Sequence, residues 1–349
     1  MKNTRLTVSS CFLVAIAAAA VSGTAFAQFR LPGGLLDPKR AVTSVAGKQL
    51  APFIRDAAPV QLDPSELYPT IDTLPSAPFA STPAIDAKAT IAAIAELKKS
   101  TTGVVTMAPG DYAISVRLFC MSHSRGAKAP LPFLLGPMRG KRAPAIIAMN
   151  SRAASTPYTF IRIQQTSWDI QSGIALSEFR PDERHVVDAL IADYEPLLQG
   201  NTLDEIQSKW STLSSTVGAP SLDSVLRDLG GAGQIVIDLR SEREDLLASA
   251  GDFDRMRNAF APLQRADPSS LQSLWAVVSP TLWMRLVTTG HYGDIGTIQI
   301  RVGGTTPASV PLVSSIGYGR CTPAVNSSTS NFACTQPLSF EPLKAVPTN

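Results

Sequence analysis

The chain has 349 residues, with 31 Lys and Arg against 28 Asp and Glu, for a formal charge of +3. That balance gives no global electrostatic case for nucleic-acid binding. The length suits one large domain or two modest ones.

Residues 1–27 read as an export signal. Lys2 and Arg5 form the charged start, Cys11 to Val21 the apolar stretch, and Ala25-Phe26-Ala27 a small-x-small cleavage site. The apolar run is too short to span a bilayer, and no later run approaches the required length. A mature chain starting at Gln28 is expected, exported to the periplasm or cell surface and without a transmembrane segment. Loss of Lys2 and Arg5 lowers its formal charge to +1.

Residues 28–85 hold nine of the 27 prolines. Proline blocks helix interiors and central strands, so this region is predicted to be an arm, a linker or a segment wrapped on the domain. Phe29, Leu35, Leu36, Phe53, Ile54, Leu67 and Tyr68 favour the wrapped form.

The main domain is predicted over 86–349. Asp86 caps a helical pattern of Ile91, Ile94 and Leu97. Val104 to Thr106, a Pro109-Gly110-Asp111 turn and Tyr112 to Met121 then read as strand, turn and strand. In the second strand Tyr112, Ile114, Val116, Leu118 and Cys120 share an inward face, with Ser115 and Arg117 on the other. Glycines and prolines make 122–144 a loop. Helical patterns follow at 144–154, 158–176 and 182–199, after a Thr202–Glu205 capping box, and at 220–229, 234–249 and 252–264. Strand signals return at 283–288, 295–302 and 309–316. A helical middle (144–265) between an N-terminal β-segment and a β-rich part (281–345) predicts an α+β fold.

Three cysteines follow the signal: Cys120, Cys321 and Cys334. Exported thiols tend to be paired. Cys321 and Cys334 lie thirteen positions apart in a Thr/Ser/Asn-rich loop and are the expected disulfide. Cys120 is then the odd cysteine, which calls for an explanation. One reading is a small buried hydrophobe, the usual fate of a free cysteine.

A second reading comes from Leu118-Phe119-Cys120-Met121 and the later Ile163-Gln164-Gln165-Thr166-Ser167-Trp168. At helical spacing Phe160, Gln164 and Trp168 share a face, which sets an amide between two aromatics. The aromatic–Cys–apolar strand and the apolar-Gln-x-x-x-Trp helix resemble the thioester domains of bacterial surface adhesins over about residues 103–176. The resemblance implies a Cys120 sulfur bonded to the Gln164 side-chain carbonyl carbon, an electrophile that captures amines on a surface protein. It implies single-turnover acyl transfer rather than an enzyme. The Gly136 to Arg142 segment is also similar to an uncharacterised group of exported Gram-negative proteins, which adds no activity.

Arg139, Lys141 and Arg142 belong to a basic stretch over 121–157 that has no acidic residue. They are candidates for an anionic envelope polymer, against the alternative of a solvated loop. Non-covalent envelope binding or structure, with an inert Cys120, is thus the competing function. An exported thiol hydrolase using Cys120, His291 and Asp294 is the third. No cofactor is expected, because Gly136 to Arg142 departs from the Walker A pattern. No metal is expected either, since the three histidines form no ligand pair and neither HExxH nor CxxC occurs.

Overall fold

In the computed structural model, the described residues are 38–62, 66–80, 104–120, 133–153, 156–217, 221–249, 251–255, 273–287, 295–311, 316–323, 332–334 and 338–342. Pro38–Asn349 forms one compact unit. Its first elements are α1 (Pro38–Ala57), β1 (Gln61–Leu62), β2 (Thr70–Ile71), β3 (Val104–Met107), β4 (Gly110–Cys120) and β5 (Phe133–Arg139). The helical middle comprises α2 (Ala143–Ala153), α3 (Phe160–Gln171), α4 (Pro181–Ile191), α5 (Thr202–Val217), α6 (Leu222–Asp228) and α7 (Gly231–Ser249). The later strands are β6 (Trp275–Ser279), β7 (Leu282–Val287), β8 (Ile295–Val302), β9 (Ala308–Pro311), β10 (Ile316–Pro323), β11 (Phe332–Cys334) and β12 (Leu338–Pro342). Strands flank helices, so the fold is α+β as expected.

A six-stranded antiparallel sheet in the order β12-β4-β8-β7-β6-β2 forms the centre. Period-two alternation gives β4 its two faces. Ile114, Val116 and Leu118 enter a core with Met284, Leu286, Ile298 and Ile300. Leu135 of β5 and Val310 of β9 join that core, so the β1-β5-β10-β11 and β3-β9 sheets contribute to it. Phe119 points the opposite way. It packs with Ile146, Met149, Ile163, Ile170 and Val187, the apolar stripes of α2, α3 and α4.

The proline-rich region departs from the expected arm, and the domain boundary moves from 86 to 38. Pro38 sits at the helix start, where its missing N–H is no loss. Pro52 lies inside α1, yet the helix persists. Leu50 and Ile54 are fully buried beside Trp210, Val225 and Leu226. Burial of such side chains contributes about 1.5–3 kcal/mol each, which offsets the proline penalty. Beyond α1, β1 pairs with β5 and β2 pairs with β6. Phe79 packs on Trp275 with ring centroids 5.4 Å apart and the planes tilted by 40°. Through these contacts part of the 66–80 segment lies against β6.

The expected 122–144 loop is also corrected, because β5 occupies its second half. Pro137 is tolerated there because the neighbours change at that point. It pairs with Ile316 of β10, while β1 covers only Met138 and Arg139. The ladder thus needs no bond from the missing N–H on the other side. The expected strand at 309–316 is two strands, β9 and β10, and β6 carries no alternation strong enough to predict. The export signal, the Asp86 helix and most of 252–264 lie outside the described residues. No described helix is long and apolar enough to cross a membrane.

Candidate functional site

Helix α3 carries the candidate acyl donor. Thr159 caps its start, accepting from the Arg162 amide at 3.4 Å. Every residue from Ile163 to Gln171 is buried, although Gln164, Gln165, Thr166, Ser167, Asp169 and Gln171 are polar. A helix polar on so many sides needs internal partners. Gln165 Nε2 donates to the Gly251 carbonyl at 2.9 Å, and Thr166 Oγ1 donates to the Arg162 carbonyl at 3.0 Å. Gln171 Nε2 donates to Ser167 Oγ at 2.7 Å.

The face at four-residue spacing meets β4 at its first member, Phe160. Phe160 packs on Phe119 with centroids 5.0 Å apart, and the Arg117 guanidinium lies 5.8 Å from the Phe160 ring. One turn on, Gln164 is fully buried. A further turn on, Trp168 is fully buried and stacks on Phe253 at 5.8 Å. Gln164 therefore sits between two aromatic contacts, as its spacing predicted. Cys120 is the last residue of β4, and its backbone is in register with Leu338 of β12. Its side chain lies outside the described residues; the contact between the two elements is that of Phe160, one turn before Gln164, with Phe119, the neighbour of Cys120.

The basic trio does not form one surface. Arg139 pairs with Glu66 and is about half exposed. Lys141 contacts Glu205 at 2.6 Å. Arg142 is only 1% exposed. Its Nη1 donates to the Ile174 carbonyl at 2.7 Å and the Ile170 carbonyl at 3.3 Å. Its Nη2 donates to the Gly173 carbonyl at 3.2 Å and to the Gly200 carbonyl. Arg142 thereby satisfies carbonyls where α3 ends, the negative pole of the helix. Burial pulls its pKa down to about 10 despite the charges of Glu205 and Glu178. The expectation that Arg142 meets an external anion is overturned, because the side chain is buried and both its Nη atoms donate to backbone carbonyls inside. Arg125 and Lys128 fall outside the described residues.

Sequence reasoning passed over Asp169. It is 5% exposed, and Oδ2 has no hydrogen-bond partner among the described residues. Burial raises its pKa to about 7, against the opposing charge of Arg180. Only its place in a buried helix could have marked it.

Cys321 and Cys334 are directly opposed across the β10–β11 ladder, with both side chains outside the described residues. His123, His291 and Asp294 are likewise outside. His185 is exposed in the first half of α4, where its carbonyl accepts from the Tyr158 hydroxyl at 3.1 Å. Among the described residues, no group of three His, Cys, Asp or Glu side chains is placed to hold a metal ion. No protein-family model, curated protein or solved structure matches the chain.

Proposed function

We propose that the chain is an exported envelope protein that captures amines through a thioester between Cys120 and Gln164. The observation that carries this reading is the buried Gln164 one turn from Phe160, whose ring packs on Phe119 beside Cys120. The Cys120 sulfur attacks the Gln164 Cδ, forming the S–C bond. The C–N bond breaks, and Nε2 leaves with the thiol proton as ammonia. A primary amine later attacks the same carbon, forming an amide and returning the thiol. Burial between aromatic contacts keeps water from hydrolysing the ester.

The competing reading is an inert Cys120 in an envelope binding or structural protein. The pleat favours it, since Cys120 shares the strand phase of Leu118 while Gln164 lies on the Phe119 side. Bond formation requires the chain to leave the strict pleat at the last residue of β4. Intact mass separates the two readings. The thioester form weighs one ammonia less than its sequence, after allowance for any disulfide, and gains one methylamine on treatment. Cys120→Ala and Gln164→Ala each abolish both changes. A native chain of full mass whose Cys120 alkylates at once leaves only the inert reading.

We also propose that Cys321 and Cys334 form the disulfide of the exported chain. Opposed residues in an antiparallel pair have Cα atoms about 4.5–5.5 Å apart, within the disulfide range. Peptide mapping without reductant is expected to recover this linked pair. Recovery of Cys120 joined to either one would overturn both proposals together.

A further inference from the structure

On the face of the central sheet opposite the Ile114–Leu118 core, strand register aligns Asp111, Arg301 and Trp283 across β4, β8 and β7. Arg301 Nε and Nη2 donate to the two Asp111 carboxylate oxygens, each at 2.6 Å. These side chains are 11% and 13% exposed. The same guanidinium donates to the carbonyls of Ala77 and Pro78 at 2.5 and 2.8 Å. The Ala80 amide donates to Asp111 Oδ2 at 2.8 Å. The ion pair thus fastens the 75–80 segment across the sheet.

Between that segment and the sheet lies a cleft of about 560 Å³, lined by Ser76, Ala77, Asp111, Trp283, Arg301 and Gly303 among others. Gly303 lies directly against the indole, and a Cβ there would come within 2.9 Å of Trp283 Cζ3, so the ring would have to shift. Ser76 has φ +78° and is the one non-glycine residue with positive φ among the described residues. Backbone strain of this kind clusters at ligand sites.

We propose that this cleft binds a neutral saccharide. Asp111 and Arg301 neutralise each other, so neither an anion nor a cation meets an opposite net charge. Their fixed geometry leaves an Arg301 N–H and carboxylate lone pairs for ligand hydroxyls. The half-buried Trp283 offers an apolar ring for the C–H groups of a sugar. The volume lies within the usual range for small ligands, about 300–1,000 Å³. Cys120 and Gln164 take no part, so this site stands or falls independently of the thioester.

The test titrates the mature chain with two neutral tetrasaccharides, one of β-1,4-linked N-acetylglucosamine and one of α-1,4-linked glucose. A galacturonate tetramer and a proline-rich peptide are run beside them, with calorimetry and tryptophan fluorescence as readouts. At least one neutral sugar is expected to bind and quench fluorescence. Trp283→Ala is expected to weaken it by about tenfold or more. Ala77→Phe, at an exposed position, is expected to block the cleft without moving the unfolding midpoint. Failure of both neutral sugars at millimolar concentration would overturn the proposal. So would binding that neither variant changes, or binding confined to the acidic sugar or the peptide.

Discussion

Replacing Arg142 with Met is expected to destabilise the fold by about 3–5 kcal/mol. The guanidinium is 1% exposed and bonds four carbonyls contributed by Ile170, Gly173, Ile174 and Gly200. Met matches much of the volume but returns none of these bonds. Lys is expected to recover little, because one ammonium cannot span carbonyls that a planar fork reaches together. Lys141→Ala removes a half-exposed ion pair and is expected to change stability by about 1 kcal/mol or less. Urea unfolding of the three variants checks this order. Equal, near-zero losses would return Arg142 to the surface role that its sequence context suggested.

That contrast locates what the sequence made legible. The Ile114, Val116 and Leu118 alternation identified the inner face of β4, because strand side chains obey a fixed period. The helical middle was legible for the same reason, and so was the Phe160-Gln164-Trp168 face. Arg142 reads as one cation among several because its partners lie 28 to 58 positions away. No local pattern records such a distance. The Asp111–Arg301 pair spans 190 positions, and the cleft that it closes was equally hidden.

Prolines misled in two places for one physical reason. Proline preference is local, while the stability of α1 comes from Leu50 and Ile54 inside a distant helical core. In β5, Pro137 falls where one neighbour's ladder gives way, so its missing donor goes unneeded. The candidate thioester pair was half legible. The helix gave Gln164 its place between aromatics, but strand phase alone sets Cys120 with Leu118.

Asp169 supplies the second large expected effect, a stability that falls as pH rises. Its carboxyl is buried on α3, one oxygen has no hydrogen-bond partner among the described residues, and its pKa rises from 3.8 to about 7 on folding. The nearby cation, Arg180, is engaged by Glu183, with Nε to Oε2 at 2.8 Å. Because the folded pKa is the higher, the native state holds the proton more tightly than the unfolded chain. The stabilisation from the neutral acid is full below pH 4 and is lost as pH climbs towards 7. A shift of this size corresponds to about 4 kcal/mol at most. Asp169→Asn keeps the shape and cannot ionise, so it is expected to remove this loss. The variant should be more stable than the parent at pH 8 and similar to it near pH 4.5. Urea unfolding at both values measures the difference. If the variant were instead less stable at both, Asp169 would be ionised in the fold and held by Arg180, with burial the weaker effect.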